Sequence, residues 1–204
     1  MARRVSLKLH HLRPTQITVG LREVHDKITR FKAMRAKKLD EYLGDHPLPG
    51  IMGPHDKLFI IDHHHLGRAL HELQVEEVHC LVEADLSTLT PEQFWAAMDA
   101  NHWAHPYCEQ GRRQSFLDIP KHVEQLRDDP YRSLAAYVRE AGGYVKTPSP
   151  FAEFQWADYF RTRIAPTPVL VKHEGEESEY QALVAHAVAL AKLPAAAALP
   201  GSQV

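Results

Sequence analysis

The hydrophobic rhythm of the chain changes along its length. Residues 5–12, VSLKLHHL, alternate weakly between apolar and polar and predict a short strand that ends before Pro14. From Leu21 to Leu43 the apolar positions Leu21, Val24, Ile28, Phe31, Met34, Leu39 and Leu43 fall close to helical spacing, with basic residues between them. The stretch GDHPLPGIMGPHDK predicts turns around one short strand, LPGIM, and its end, GPHDK, a hairpin turn into a second strand, LFIID. LGRALHELQ returns to a helical period with Leu66, Ala69, Leu70 and Leu73 on one face, and VEEVHCLVEAD reads as another strand. Strand, turn, strand, helix and strand in quick succession is an α/β signature.

From Thr90 the pattern is mostly helical. TPEQFWAAMDAN opens with Thr90 as N-cap, Pro91 at the first helical position and Glu92 in the first turn. IPKHVEQLRD, DPYRSLAAYVREAGG, PFAEFQWADYFRTRI and ESEYQALVAHAVALAKL all predict helices, and Gly142 and Gly143 end one of them. Phe151, Phe154 and Ala157, with Trp156 nearby, predict core packing. The final PAAAALPGSQV predicts a frayed tail. The expected organisation is an α/β domain over residues 1–88 and a helical extension over 89–204, packed on the first.

Composition narrows the classes. The 204 residues are 44% hydrophobic and 25% charged, enough for a sizeable core, and the formal net charge of -2 gives a polycation that coats DNA or membrane no support. A local basic face is present at Lys27, Arg30, Lys32, Arg35, Lys37 and Lys38. Cys80 and Cys108 form no CxxC and suggest two free thiols in a reducing compartment. The basic start has no apolar core of signal type and no run approaches membrane-span length, so the expected location is cytoplasmic.

The candidate chemistry lies in IIDHHHLGRAL. Asp62, His63, His64 and His65 follow the strand LFIID and precede a helix starting near His64 or His65. Ligands of open α/β folds collect at the carboxyl ends of strands, and the first amides of a helix favour anions. Three readings stand side by side: histidines that cap the helix and fill polar space, a transition-metal site, and a phosphate or nucleotide site with Arg68 one turn into the helix. The loop Asn101–Arg113 is a second candidate. It carries His102, Trp103, His105, Tyr107, Cys108, Arg112 and Arg113. These allow a Cys108–His105 or Cys108–His102 nucleophile pair, or two arginines that reach a phosphate.

The segment IIDHHHLGRAL resembles the DGHHR-type signature of the ParB/sulfiredoxin-like superfamily. The upstream order LRPTQITVGLREVHDKI, helix and PLPGIMGPHDKLFIID matches that superfamily over roughly residues 5–85. More narrowly the chain looks like the ParB-like nuclease group. The resemblance implies a small mixed sheet of ParB/sulfiredoxin type (α/β, or α+β) with the helical half as an extension. It also implies nucleotide chemistry, with Asp62, His64 and His65 at the phosphates of ATP, ADP or CTP and at Mg2+. His63 stands where the pattern has Gly, Leu66 where it has Arg, and Gln16, after Pro14 and Thr15, where kinase members have a Glu base. Glu23 is then the acid that remains nearby. The catalytic cysteine of sulfiredoxins is absent.

The expected function is thus transfer or hydrolysis of a nucleotide's terminal phosphate, to a small-molecule acceptor in the case of transfer. Asp62 binds the metal, while His63, His64, His65 and Arg68 hold phosphate and Thr15 and Gln16 line the acceptor side. One alternative is a DNA-associated nuclease or partition-type module that uses the basic face. Another is a relative that keeps only the fold.

Overall fold

The computed structural model describes residues 3–172 and 175–204. Among the described residues, six strands and eight α-helices follow one another: β1 (Arg3–Lys8), β2 (Thr18–Val19), α1 (Leu21–Lys32), α2 (Ala36–Asp45), β3 (Leu48–Gly53), β4 (Lys57–Ile60), α3 (His64–Glu72), β5 (Glu77–Asp85), α4 (Pro91–Ala100), β6 (Arg127–Asp128), α5 (Pro130–Glu140), α6 (Ala152–Arg161), α7 (Pro168–Val171) and α8 (Glu177–Ala191). The fold is the expected α/β type with a small mixed sheet. Its order is β1-β5-β3-β4, with β3 and β5 parallel and the outer pairs antiparallel.

The sheet follows from alternation. Val78, Cys80 and Val82 of β5 are buried at every second position, and the register sets Leu48 of β3 against Cys80 and Gly50 against Val82; a register shift follows between Gly50 and Ile51, and Ile51 is buried in a cluster with Phe94 and Met98. The β3–β4 hairpin turns at Pro54–Asp56, where His55 and Asp56 both take positive φ, the backbone that a tight mirror-image turn needs. Gly53 has no room for a side chain, since a Cβ there would lie 2.7 Å from the rings of Phe59 and Phe94. α4 has Thr90 as its N-cap, as expected, and Gln93 completes a capping box. Thr90 Oγ1 accepts from Gln93 N–H, and Gln93 Oε1 accepts from Thr90 N–H.

The chain divides into two compact units. The first holds residues 1–19, 24–108 and 113–127, and the second holds 20–23, 109–112 and 128–204. Residues 89–108 and 113–127, assigned by sequence to the extension, thus fall in the first unit. Their apolar side chains explain it: Phe94, Met98 and Ala104 share a buried cluster with Ile51 of β3. The second unit packs α5, α6, α7 and α8 around Trp156, which stacks on Tyr144 at 4.3 Å.

Three sequence expectations are corrected. The stretch Leu21–Leu43 is two helices, broken at Ala33–Arg35, where Arg35 takes extended backbone (φ -70°, ψ 144°) and becomes the N-cap of α2. IPKHVEQLRD forms only a single turn, Val123–Gln125. The carbonyls of Glu124 and Leu126 take N–H groups of Arg68, and Arg127 N–H bonds the Ile17 carbonyl, so the backbone is satisfied without a helix. The C-terminal tail is docked: Ala196 is fully buried, Trp156 Nε1–H donates to the Pro200 carbonyl at 2.8 Å, and Val145 N–H to the Gly201 carbonyl at 2.9 Å.

Candidate functional site

β4 leads into α3 through a sharp turn at Asp62 and His63. Asp62 is exposed, and its Oδ1 accepts the His63 N–H at 2.6 Å. His63 is the N-cap of α3 and sits in the left-handed region, with φ 62° and ψ 25°. The superfamily pattern has Gly here, and the backbone explains why: the turn needs a conformation that only glycine adopts without strain. α3 has no carboxylate in its first turn and no side-chain cap, so its opening is electrically positive. Half-buried His63 and His65 flank that opening.

His64 does something else. It is 4% exposed, and its Nε2 accepts the Thr15 N–H at 3.1 Å. A nitrogen that accepts cannot carry a proton, so His64 is the neutral tautomer protonated at Nδ1. Burial pushes its pKa down to about 3, with His65, His63 and His105 adding to the effect and Asp62 opposing it. Thr15 is the hub of this contact. Its hydroxyl donates to the Ile60 carbonyl at 2.8 Å and its own carbonyl accepts from His105 N–H at 2.8 Å. Arg13, two residues earlier, zips onto β4: its N–H donates to the Leu58 carbonyl and its carbonyl accepts the Ile60 N–H, both at 2.9 Å. The Asp-His turn is therefore held to the Arg13–Gln16 segment and to the loop after α4.

The structure gathers some sequence candidates and separates others. Thr15, Asp62, His63, His64 and His65 lie together, and His105, outside the main motif, joins them with its ring stacked on Tyr107 at 4.4 Å. Gln16 is 6% exposed and spends its amide on the Thr18 carbonyl at 2.7 Å. Arg68 turns away from the helix opening. Its guanidinium bonds Glu72 and the carbonyls of Glu124 and Leu126. Glu23 belongs to the second unit, where it pairs with Arg132 at 2.9 Å. In the second loop, Cys108 is buried beside Gln114 and Arg113 pairs with Asp99 at 2.8 Å. Ile17 lines a polar cleft of about 350 Å³ with Gln114, Asp118, Gln125 and Arg127. Its Cα is at most about 7 Å from that of Thr15.

Among the described residues no three His, Cys, Asp or Glu side chains are grouped to hold a metal ion, and no helix is long and apolar enough to cross a membrane. Asp62 contributes one carboxylate. That suits Mg2+ carried in on phosphate, which takes most of its ligands from phosphate and water, and does not suit a resident ion held by protein alone.

A comparison with curated proteins finds no match. Among solved structures, the crystal structure of protein Atu1540 from Agrobacterium tumefaciens superimposes with a TM-score of 0.88 at 40% sequence identity, covering 99% of this chain and 97% of that one. A family model described as "Putative ParB-like nuclease" matches residues 5–162, a span that holds the whole Asp-His turn, the Thr15 hub and the loop after α4. The chain belongs to this ParB-like nuclease family.

Proposed function

We propose that the first unit binds a nucleotide by its phosphates at the opening of α3 and cleaves or transfers the terminal phosphoryl group. One observation carries the reading. A helix without an acidic first turn or a side-chain cap starts at the end of β4, with an exposed carboxylate and two half-buried imidazoles around the opening. His63 and His65 donate to phosphate oxygens together with the first amides of α3. Asp62 keeps one oxygen on the His63 N–H and offers the other to the metal. Mg2+ brought by the nucleotide neutralises charge on the phosphates.

Two roles differ from those expected of the sequence. His64 is a positioning residue: it ties the turn to Thr15 and gives its acceptor nitrogen to the backbone. The N–H groups of Arg68 reach Glu72 and two backbone carbonyls, so the helix opening and the histidines supply the positive pole. The cleft at Ile17 takes the remainder of the ligand.

The test is calorimetric titration of the full chain with ATP, ADP and CTP, with and without Mg2+. The native protein should bind at least one of them, more tightly with Mg2+. Asp62→Asn should abolish the Mg2+ dependence, and His65→Ala should weaken binding about tenfold, the loss of one hydrogen bond to a charged group. Absence of binding at millimolar nucleotide, or affinity unchanged in both variants, removes this reading.

A further inference from the structure

The two edges of the four-stranded sheet differ. β4 is covered, because Arg13 N–H donates to the Leu58 carbonyl and Ile60 N–H to the Arg13 carbonyl. β1 pairs with β5 on one side, and among the described residues no strand or isolated bridge lies on its other side. The register runs from Arg3 opposite Val82 to Lys8 opposite Glu77 without a bulge, and the strand holds neither proline nor glycine. Sheet edges are usually blunted by shortness, proline, a bulge or a cover. β1, six residues long, has none of these.

The ladder tells which backbone groups face outward. Leu9 N–H donates to the Glu76 carbonyl at 2.8 Å in the same register. Bonded pairs alternate along an antiparallel ladder, so Leu7, Val5 and Arg3 form the bonded pairs with Val78, Cys80 and Val82. The N–H and C=O groups of Arg4, Ser6 and Lys8 therefore point away from β5. Side chains alternate with the same period. Half-buried Val5 and Leu7 lie opposite buried Cys80 and Val78, while Arg4, Ser6 and Lys8 are exposed on the other face. Three of the six residues are cations and none is an acid. Glu77, the acid opposite Lys8, accepts the Ser6 hydroxyl at 3.1 Å.

We propose that the outer edge of β1 is a docking site for an extended acidic segment of a partner protein, which joins the sheet as a further strand. Main-chain bonds to Arg4, Ser6 and Lys8 hold it, and the alternation of β1 sets its pattern: apolar residues beside Val5 and Leu7, carboxylates beside Arg4 and Lys8. A second copy of this chain does not fit. In the full-length antiparallel pairing of two β1 strands Arg4 opposes Lys8 twice over, with Cα atoms about 5.5 Å apart. Like charges directly opposite repel. An acidic strand turns the same two positions into attractive pairs.

The experiment is fluorescence anisotropy of a labelled peptide of alternating valine and glutamate, as long as β1, titrated with the full chain, together with amide hydrogen exchange. The peptide should bind with a Kd below about 1 mM. It should slow exchange at Arg4, Ser6 and Lys8, while the amides of Val5 and Leu7, already bonded to β5, change little. Ser6→Pro removes an outward N–H and leaves the β5 ladder whole, so the fold should be kept and binding should weaken at least about tenfold. The variant Arg4→Glu, Lys8→Glu keeps the backbone and should reverse the preference: the glutamate peptide binds about tenfold more weakly, and a valine–lysine peptide about tenfold more tightly. Unchanged affinity in Ser6→Pro overturns the proposal, and so does a charge-swapped variant whose preference does not reverse. Native protein that ignores the peptide at about 1 mM, or binds polyglutamate without alternation just as tightly, overturns it as well. A dimer of the native chain in sedimentation that Ser6→Pro abolishes would give the edge to a second copy and end the acidic-partner reading.

Discussion

The Thr15 N–H donates to His64 Nε2 at 3.1 Å across 49 residues of sequence, in a place where both residues are buried. This one contact joins the Asp-His turn to the segment that zips along β4. His64→Ala leaves a buried amide without an acceptor and opens a cavity, so it should cost about 2–4 kcal/mol in urea unfolding. His64→Gln keeps an acceptor at nearly the same position and should cost about 1 kcal/mol. Equal costs for the two substitutions would show that bulk, and not the acceptor, is what the site uses.

The same residue sets a pH dependence. His64 titrates near 3 in the folded chain and near 6.5 when unfolded. Between those values the unfolded state holds more protons, so this group makes stability fall as pH drops below about 6.5 and level off near 3. The slope from one proton is at most about 1.4 kcal/mol per pH unit. The measurement is the difference between native and His64→Gln stabilities from pH 7.5 to 4, which isolates this one group. The native curve should fall more steeply, and parallel curves would refute a buried neutral imidazole.

His63 stores strain in the turn. At φ 62° an ordinary side chain pays about 1 kcal/mol that glycine does not. His63→Gly should therefore raise stability by about 0.5–1 kcal/mol despite the added freedom of the unfolded chain, whereas His63→Val, β-branched, should lower it by more than 1 kcal/mol. If the turn binds phosphate as proposed, the glycine variant should also lose nucleotide affinity, since one imidazole donor goes. Gain of stability with loss of binding is the pattern that shows strain kept for a ligand.

Much of this could be read from residues alone, and the limits have physical causes. Period and turn chemistry located the β3–β4 hairpin, the strand before Asp62, the start of α3 near His64 or His65 and the cap of α4, because each is decided by neighbours within a few positions. The role of His64 was hidden because its partner lies 49 residues away. Arg68, one turn into the helix, faces another direction than the Arg of the family pattern, but that carbonyls of Glu124 and Leu126 take its N–H groups is announced by no local pattern. His105 was visible as part of a loop rich in functional side chains, yet only the hydrogen bond from its N–H to the Thr15 carbonyl brings that loop to the Asp-His turn. A change from strand to helix says nothing about which core a helix joins, and Phe94 and Met98 of α4 share a buried cluster with Ile51 of β3.

Asp129 governs the second unit in the way Thr15 governs the turn. It is 2% exposed, and its Oδ1 accepts N–H groups of Tyr131 and Arg132 at 3.1 and 3.2 Å, which caps α5. Its Oδ2 meets the Arg161 guanidinium at 2.6 Å, and Arg161 also donates to the Glu109 carbonyl and lies 5.2 Å from the centre of the Tyr131 ring. Asp129→Ala removes a cap and leaves a largely buried cation, so it should cost about 3–5 kcal/mol in guanidinium unfolding. Asp129→Asn keeps an oxygen for the cap and loses the charge, and Asp158 still pairs with Arg161, so about half that cost is expected. The double variant Asp129→Ala, Arg161→Ala should be less damaging than the two single costs added together, by about 1–3 kcal/mol, because the second change removes the charge that the first one stranded. Strict additivity would mean that the cap alone, and not the ion pair, explains why an aspartate is buried there.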